Sequence, residues 1–453
     1  MIDRSVPPEI SDDIKLHLPL LQKTKFGNGL KLNFVEKNSL PIVILNFIVK
    51  SGSIYDPENK SGLANLLGMT IDEGAHGYDA LEIDYMLESL GSIFNISVDH
   101  DYIYFSLTSL KKNFERSLEI VSWILREPNF TDEDFEREKN KLLSEIIRLK
   151  DEPSYVANWA LGYYLFEGTP YRLPNIGSSK EVEKITPEDV KEFYNEHFTP
   201  SNIEAVAVGN ISNGELSDLL EKYFGDWENV GSPKQLTMNL KKHNPKLVLI
   251  NKPEAQQSEI RIGNFASERK APDYFAKKLL NAILGGQFSS RLNHNLREEK
   301  GITYGVRTTF SHTKNYGFFN ASTAVDTENT ALAVTEFLKE FDLIKKDITE
   351  NEIAFAKSYL KKTYPSQFET YSSVALNLGT QAVFDLPDSF YNEYLQNIDA
   401  VTKSQILDAA KNNIKTDEQI IIVVGNSEKI KDKLVSSLPD FEFELHEIQD
   451  LEI

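Results

Sequence analysis

Apolar and polar residues alternate after the Asn28-Gly29 turn, at Leu30, Leu32 and Phe34, and then run together through Ile42-Val43-Ile44-Leu45 and Phe47-Ile48-Val49. Alternation with a period of two predicts a half-buried strand, and the β-branched run predicts a more deeply buried neighbour. From about Ser61 to Asp72 the spacing becomes that of a helix. Two further strand patterns, 92–98 and 102–107, flank the polar turn Asp99-His100-Asp101. Phe114, Leu118, Val121 and Leu125 then lie on one stripe of another helix. The second half repeats the succession: Lys246-Leu247-Val248-Leu249-Ile250, a strand near Ile260, and a helix from about Asp273 to Leu284 that stops at Gly285-Gly286.

Individual words repeat as well. Ile185-Thr186-Pro187 opens a helix that leads to Val208-Gly209-Asn210, and 216 residues later Val401-Thr402-Lys403 leads to Val424-Gly425-Asn426. Phe130-Thr131 with its acidic helix start returns as Ile348-Thr349 at nearly the same offset. The chain therefore reads as two copies of one α/β unit with a cleft between them. We place the domains at 1–225 and 246–453, joined by a linker, 226–245, that contains Gly231, Ser232 and Pro233. Hairpin-length turns predict an α+β class, in which each of two homologous domains is a mainly antiparallel sheet packed with helices.

A length of 453 residues exceeds what one core normally supports, in agreement with two domains. The 69 acidic against 49 basic side chains give a net charge of −20, which argues against nucleic acid as a partner. That acid either forms a solvated surface or, if it lines a cleft, favours cationic partners. The chain has no cysteine, hence no disulfide, thiolate metal site or cysteine nucleophile. No apolar run approaches the roughly 18 residues of a membrane span. The start, Met1 to Pro8, lacks the apolar core of a signal peptide.

Gly52-Ser53-Ile54-Tyr55-Asp56-Pro57, Ser61-Gly62-Leu63-Ala64-Asn65-Leu66-Leu67-Gly68-Met69 and Asp72-Glu73-Gly74 together resemble the first half of the pitrilysin or insulinase family of zinc peptidases. The resemblance runs from about Phe26 to Lys433. Members carry H-x-x-E-H on this helix, where two imidazoles four residues apart hold the ion and the glutamate takes a proton from its water. Here Asn65, Gly68 and Met69 stand at those three places, so an amide, a hydrogen and a thioether replace the ligands and the base. The family's further glutamate ligand and a second acid two turns earlier match Glu145 and Glu138, read otherwise as solvated helix residues. No catalytic metal is expected in this chain. None of its eight histidines forms a histidine pair at helical spacing. His294 with Glu298 offers two ligands only, and His76 and His100 are expected to face solvent.

The segments Leu284-Gly285-Gly286-Gln287-Phe288-Ser289-Ser290-Arg291-Leu292 and Leu296-Arg297-Glu298-Glu299-Lys300-Gly301-Ile302-Thr303-Tyr304-Gly305 resemble the second-domain signature of the same family. In it an arginine and a tyrosine seven residues apart bind the peptide opposite the zinc, and Arg297 and Tyr304 match in type and spacing. The residues allow this independently. Arg297 would end a helix, Gly301 would reverse the chain, and Tyr304 would sit on the returning strand, presenting two donors to a peptide carbonyl. The alternative has Arg297 paired to a carboxylate and Tyr304 in the core. Asn95-Ile96-Ser97 occupies the edge position on which family members hold substrate as an added strand.

The resemblance implies a zinc-free, substrate-binding subunit of a heterodimeric peptidase, inactive alone. Zinc would belong to a homologous partner subunit, and the substrate would be an unstructured peptide. A structural or assembly protein derived from a peptidase is the alternative. The lead Asp3-Arg4-Ser5-Val6-Pro7-Pro8 is similar to mature starts of exported members, which implies the periplasm, with the cytoplasm as alternative.

Overall fold

A computed structural model describes residues 18, 20–231, 233, 236, 238 and 240–451. The lead Asp3 to Pro8, on which the periplasmic expectation rests, and Ser232 of the linker lie outside them.

Strands β1 (Leu21–Lys25), β2 (Lys31–Glu36), β3 (Ile42–Val49), β4 (Ile93–Val98), β5 (Ile103–Leu110) and β6 (Ile203–Gly209) form one sheet in the order β1-β2-β6-β3-β5-β4. Strands β7 (Lys246–Asn251), β8 (Gln257–Ala266), β9 (Arg307–His312), β10 (Gly317–Asp326), β11 (Ile420–Gly425) and β12 (Glu442–Glu447) form the second, in the order β12-β7-β11-β8-β10-β9. Element by element, β2, β6, β3, β5 and β4 correspond to β7, β11, β8, β10 and β9. The repeat seen in the words is thus a repeat of topology. Pairing is mostly antiparallel, with parallel rungs at β2–β6, β11–β7 and β12–β7. The outermost strands differ: β1 precedes its sheet in sequence and pairs antiparallel, whereas β12 follows its sheet and pairs parallel.

The helices that matter for the site are α1 (Leu63–Thr70), α2 (Asp132–Lys150), α3 (Pro153–Leu165), α4 (Pro187–His197), α5 (Tyr274–Leu284), α6 (Thr330–Ile344), α7 (Glu350–Thr363), α8 (Tyr371–Val383) and α9 (Lys403–Asn413). The repeated threonines are their start signals. Thr131, Thr186, Thr349 and Thr402 each accept a hydrogen bond from the backbone N–H three residues on, and the last three form reciprocal capping boxes with Asp189, Glu352 and Gln405.

Two helices change sides. α3, encoded in the first half, packs on β8 and β11 of the second sheet, where Arg261 Nε donates to Asn158 Oδ1 at 2.6 Å. α8, encoded in the second half, packs on β3 and β6, placing Tyr371, Val374, Ala375 and Leu378 against Val35, Ile44, Ile48, Val206 and Val208. The Tyr371 hydroxyl donates to Lys37 O at 2.7 Å and accepts from Leu40 N at 2.8 Å. The sheets also meet at their hairpin tips, where the buried Asp101 accepts from Lys314 N at 2.8 Å and from the Tyr171 hydroxyl.

Candidate functional site

α1 begins where Asp56 accepts from Gly62 N and Ala64 N, both at 2.8 Å. Removal from water pushes this carboxyl up to about 8, against the pull of those backbone donors. The helix packs on α2, α4 and the edge strand β4. Asn65 and Met69 share its half-buried stripe, and Gly68 faces β4. A Cβ at Gly68 would stand 2.6 Å from Val98 Cγ2 and 3.6 Å from Ile96 Cγ2. The place where family members carry a catalytic glutamate is therefore occupied by a strand side chain as well as lacking a carboxylate. The amide of Asn65 and the thioether of Met69 do not fit zinc, Gly68 offers no side chain, and among the described residues no group of three or more His, Asp or Glu is arranged to hold a metal.

The two α2 carboxylates part company. Glu145 is exposed and gripped by Arg148, whose Nε and Nη2 donate at 2.8 and 2.6 Å, which lowers the carboxyl's pKa. Glu138 departs from the solvated reading. It is 3 % exposed because α2 turns this face toward α1, and Lys141 Nζ donates to it at 3.0 Å. Burial, with the charges of Glu73, Asp84 and Glu138 adding to it, pushes nearby Asp72 up to about 7.

Asn95, Ile96 and Ser97 lie on β4, which among the described residues pairs with β5 alone and leaves its other edge open. Asn95 and Ser97 are exposed and Ile96 is half-buried.

In the second half, α5 stops at Gly285 and a π-helix, Asn293–Glu299, carries Arg297. Gly301, at φ 63°, reverses the chain. Tyr304 is not on the returning strand, as the spacing predicts, but on the loop before β9, because Thr303 turns the backbone by bonding Gly305 N and O, both at 3.1 Å. Tyr304 is 94 % exposed, so the core alternative fails for it. The Arg297 guanidinium lies 4.0 Å over the ring of Phe288, itself 63 % exposed, and its nearest carboxylate, Glu298, is 4.0 Å away. Neither Arg297 nor Tyr304 makes a hydrogen bond through its side chain to another described residue. The pair precedes β9, the second-half counterpart of β4.

Arg291 anchors this region, with Nε and Nη2 donating to the two Glu352 oxygens at 2.5 and 2.9 Å. Its guanidinium holds Glu352 down at about 2. Of the histidines, His294 is exposed and bonded to Glu298 at 3.0 Å, and His76 stacks on Trp123. His100 does not face solvent freely; its Nε2 meets Leu173 O at 2.9 Å, where the hairpin tip packs on the 170–173 turn. Val98 and Phe288 escaped sequence reasoning. Each is an ordinary apolar residue whose importance comes from a neighbour distant in sequence or across a turn.

No helix among the described residues is long and apolar enough to cross a membrane. Two family models match the chain: "Insulinase (Peptidase family M16)" over residues 34–178 and "Peptidase M16 inactive domain" over residues 184–360. A Helicobacter pylori protein named "Non-peptidase homolog YmxG" is 24 % identical over 403 residues, 88 % of this chain and 92 % of that one. The mitochondrial-processing peptidase subunit beta of Dictyostelium discoideum is 23 % identical over 384 residues, 80 % of each chain. The crystal structure of a peptidase M16 inactive domain from Pseudomonas fluorescens superposes with a TM-score of 0.85 at 25 % identity, covering 90 % of this chain and 98 % of that one. With both halves matched and the fold shared, the chain belongs to the M16, or insulinase, family of peptidases, as a member whose own metal-binding helix lacks its ligands.

Proposed function

We propose that this chain is the non-catalytic, substrate-binding subunit of a two-chain M16 peptidase. The observation that carries the reading is the state of Arg297 and Tyr304: two strong donors, the phenol exposed and the guanidinium half-buried over Phe288, neither with a side-chain hydrogen bond to another described residue. A guanidinium and a phenol so presented suit a peptide carbonyl and the negative charge that grows on it during attack. The open edge of β4 adds main-chain pairing for an extended peptide. Zinc and the attacking water come from a homologous second chain that bears H-x-x-E-H. This chain binds the peptide, orients its carbonyl and supplies hydrogen bonds. A compartment outside the cytoplasm, the periplasm, is part of the same proposal.

The test mixes the purified chain with an H-x-x-E-H-bearing M16 chain from the same organism and follows cleavage of an unstructured peptide. Neither chain alone should turn over at the rate of the mixture, and Arg297→Ala or Tyr304→Phe should remove ~10- to 1,000-fold of that activity. Unchanged turnover in both variants refutes the assignment. A purely structural protein would leave the mixture no more active than the zinc chain alone.

A further inference from the structure

Asn293 sits on the π-helix one turn before Arg297 and is only 4 % exposed. Its amide is fully used. Nδ2 donates to Val306 O at 3.0 Å, to Ser290 Oγ at 3.1 Å and to Gln287 O at 3.2 Å, while Oδ1 accepts from Val306 N at 2.9 Å. The double contact with Val306 imitates a rung of sheet ladder and fixes the backbone two residues beyond Tyr304. The contact with Gln287 fixes the residue before Phe288, whose ring carries the Arg297 guanidinium. Thr303 ties the same loop from its other side through Thr323 Oγ1 at 2.7 Å and Ala324 O at 2.9 Å.

A buried amide is costly unless all its bonds are made, and an ordinary exposed loop needs no such ties. Here the tied stretch presents a phenol that is 94 % exposed and makes no hydrogen bond to another described residue. We propose that Asn293 is the positioning residue of the Arg297/Tyr304 pair, one side chain holding both the turn that steadies the guanidinium and the loop that presents the hydroxyl. The inference rests on the reading of that pair as donors to a bound peptide. Asn293 touches no peptide itself. Its work is to fix the separation of two donors, for which a shift of about 1 Å can cost on the order of 100-fold in rate.

Two readouts test this on Asn293→Ala, with Thr303→Val as a second variant that loosens the Tyr304 loop alone. In the isolated chain, hydrogen exchange should rise about tenfold or more in peptides covering 286–292 and 302–310 for Asn293→Ala, and in 302–310 only for Thr303→Val, with exchange in β7, β8 and β11 unchanged. In the two-chain mixture, kcat should fall ~10- to 100-fold with little change in KM, and Asn293→Asp, which keeps the acceptor for Val306 N, should recover part of the loss. Local exchange that stays at the wild-type level overturns the proposal, as does full kcat in a mixture where Arg297→Ala is inactive; the function reading then stands without it. If Arg297→Ala and Tyr304→Phe are themselves fully active, the function reading fails and the positioning role falls with it, whatever the exchange shows. If Asn293→Ala does not fold, Asn293→Asp, which loses the donors to Val306 O and Gln287 O, decides by the same two readouts: wild-type exchange and full kcat in it overturn the proposal.

Discussion

Gly68→Ala is the smallest change that probes the filled catalytic position. In an ordinary helix interior, replacing glycine by alanine stabilises by about 1 kcal/mol, since the unfolded chain has less freedom to lose. At position 68 the added carbon would stand 2.6 Å from Val98 Cγ2, against an optimum of about 3.5–4.0 Å between carbons. A valine in a strand is stiff about χ1, so it cannot swing away as a lysine or methionine would. Overpacking of this kind costs about 1–3 kcal/mol. The net effect in the wild-type background should then be a loss of about 0–2 kcal/mol instead of a gain. In a Val98→Ala background the obstacle is gone, and Gly68→Ala should recover its ordinary benefit. Urea denaturation of the four proteins in this double-mutant cycle measures a coupling of about 1–3 kcal/mol between the sites. Equal stabilisation by Gly68→Ala in both backgrounds would refute the steric argument. The same logic extends to chemistry. Restoring the motif with Asn65→His, Gly68→Glu and Met69→His should give more bound zinc, by metal analysis, when Val98→Ala accompanies it.

Three further predictions concern charge. Asp72 has a folded pKa of about 7, raised from 3.8, so its ionisation costs stability increasingly as pH rises from about 4 to 7; Asp72→Asn should raise the melting temperature at pH 8 and not at pH 4. His197 is buried against Ser51, and burial lowers its pKa from 6.5 to about 4, so its contribution is complete above pH 6.5 and lost as pH falls toward 4; His197→Gln should flatten that part of the acid-stability profile. Arg291→Lys should destabilise by about 1 kcal/mol despite keeping the charge, because an ammonium cannot bridge both Glu352 oxygens, and chemical denaturation that finds no change would discount the bidentate geometry.

What the sequence made legible follows from local rules. Thr131, Thr186, Thr349 and Thr402 are helix starts because the side chain that caps lies three residues from the N–H that it accepts. The strands around the Asp99-His100-Asp101 turn were readable for the same reason, their hydrophobic period being two. What remained hidden depends on long-range placement. Glu138 sits among Lys139, Lys141 and Arg137 in sequence and so resembles a solvated residue, and only the packing of α2 on α1 buries it. Tyr304 was expected on a strand, but the Thr303 hydroxyl competes with sheet pairing and holds a loop. Asn293 showed no signal, since its double contact with Val306 forms only once the chain reverses at Gly301. The exchange of α3 and α8 between the sheets has no local signature, because it depends on which half each helix reaches.

That exchange of α3 and α8 sets what can be cut away. A fragment ending near residue 225 would bare Val35, Ile44, Ile48, Val206 and Val208 to water, and a fragment beginning near 246 would leave β8 and β11 without their lid. Each piece should therefore lose stability when expressed without the other, although each carries a full sheet. With each half fastened to the other's sheet, swinging the two sheets apart would break the packing of both α3 and α8.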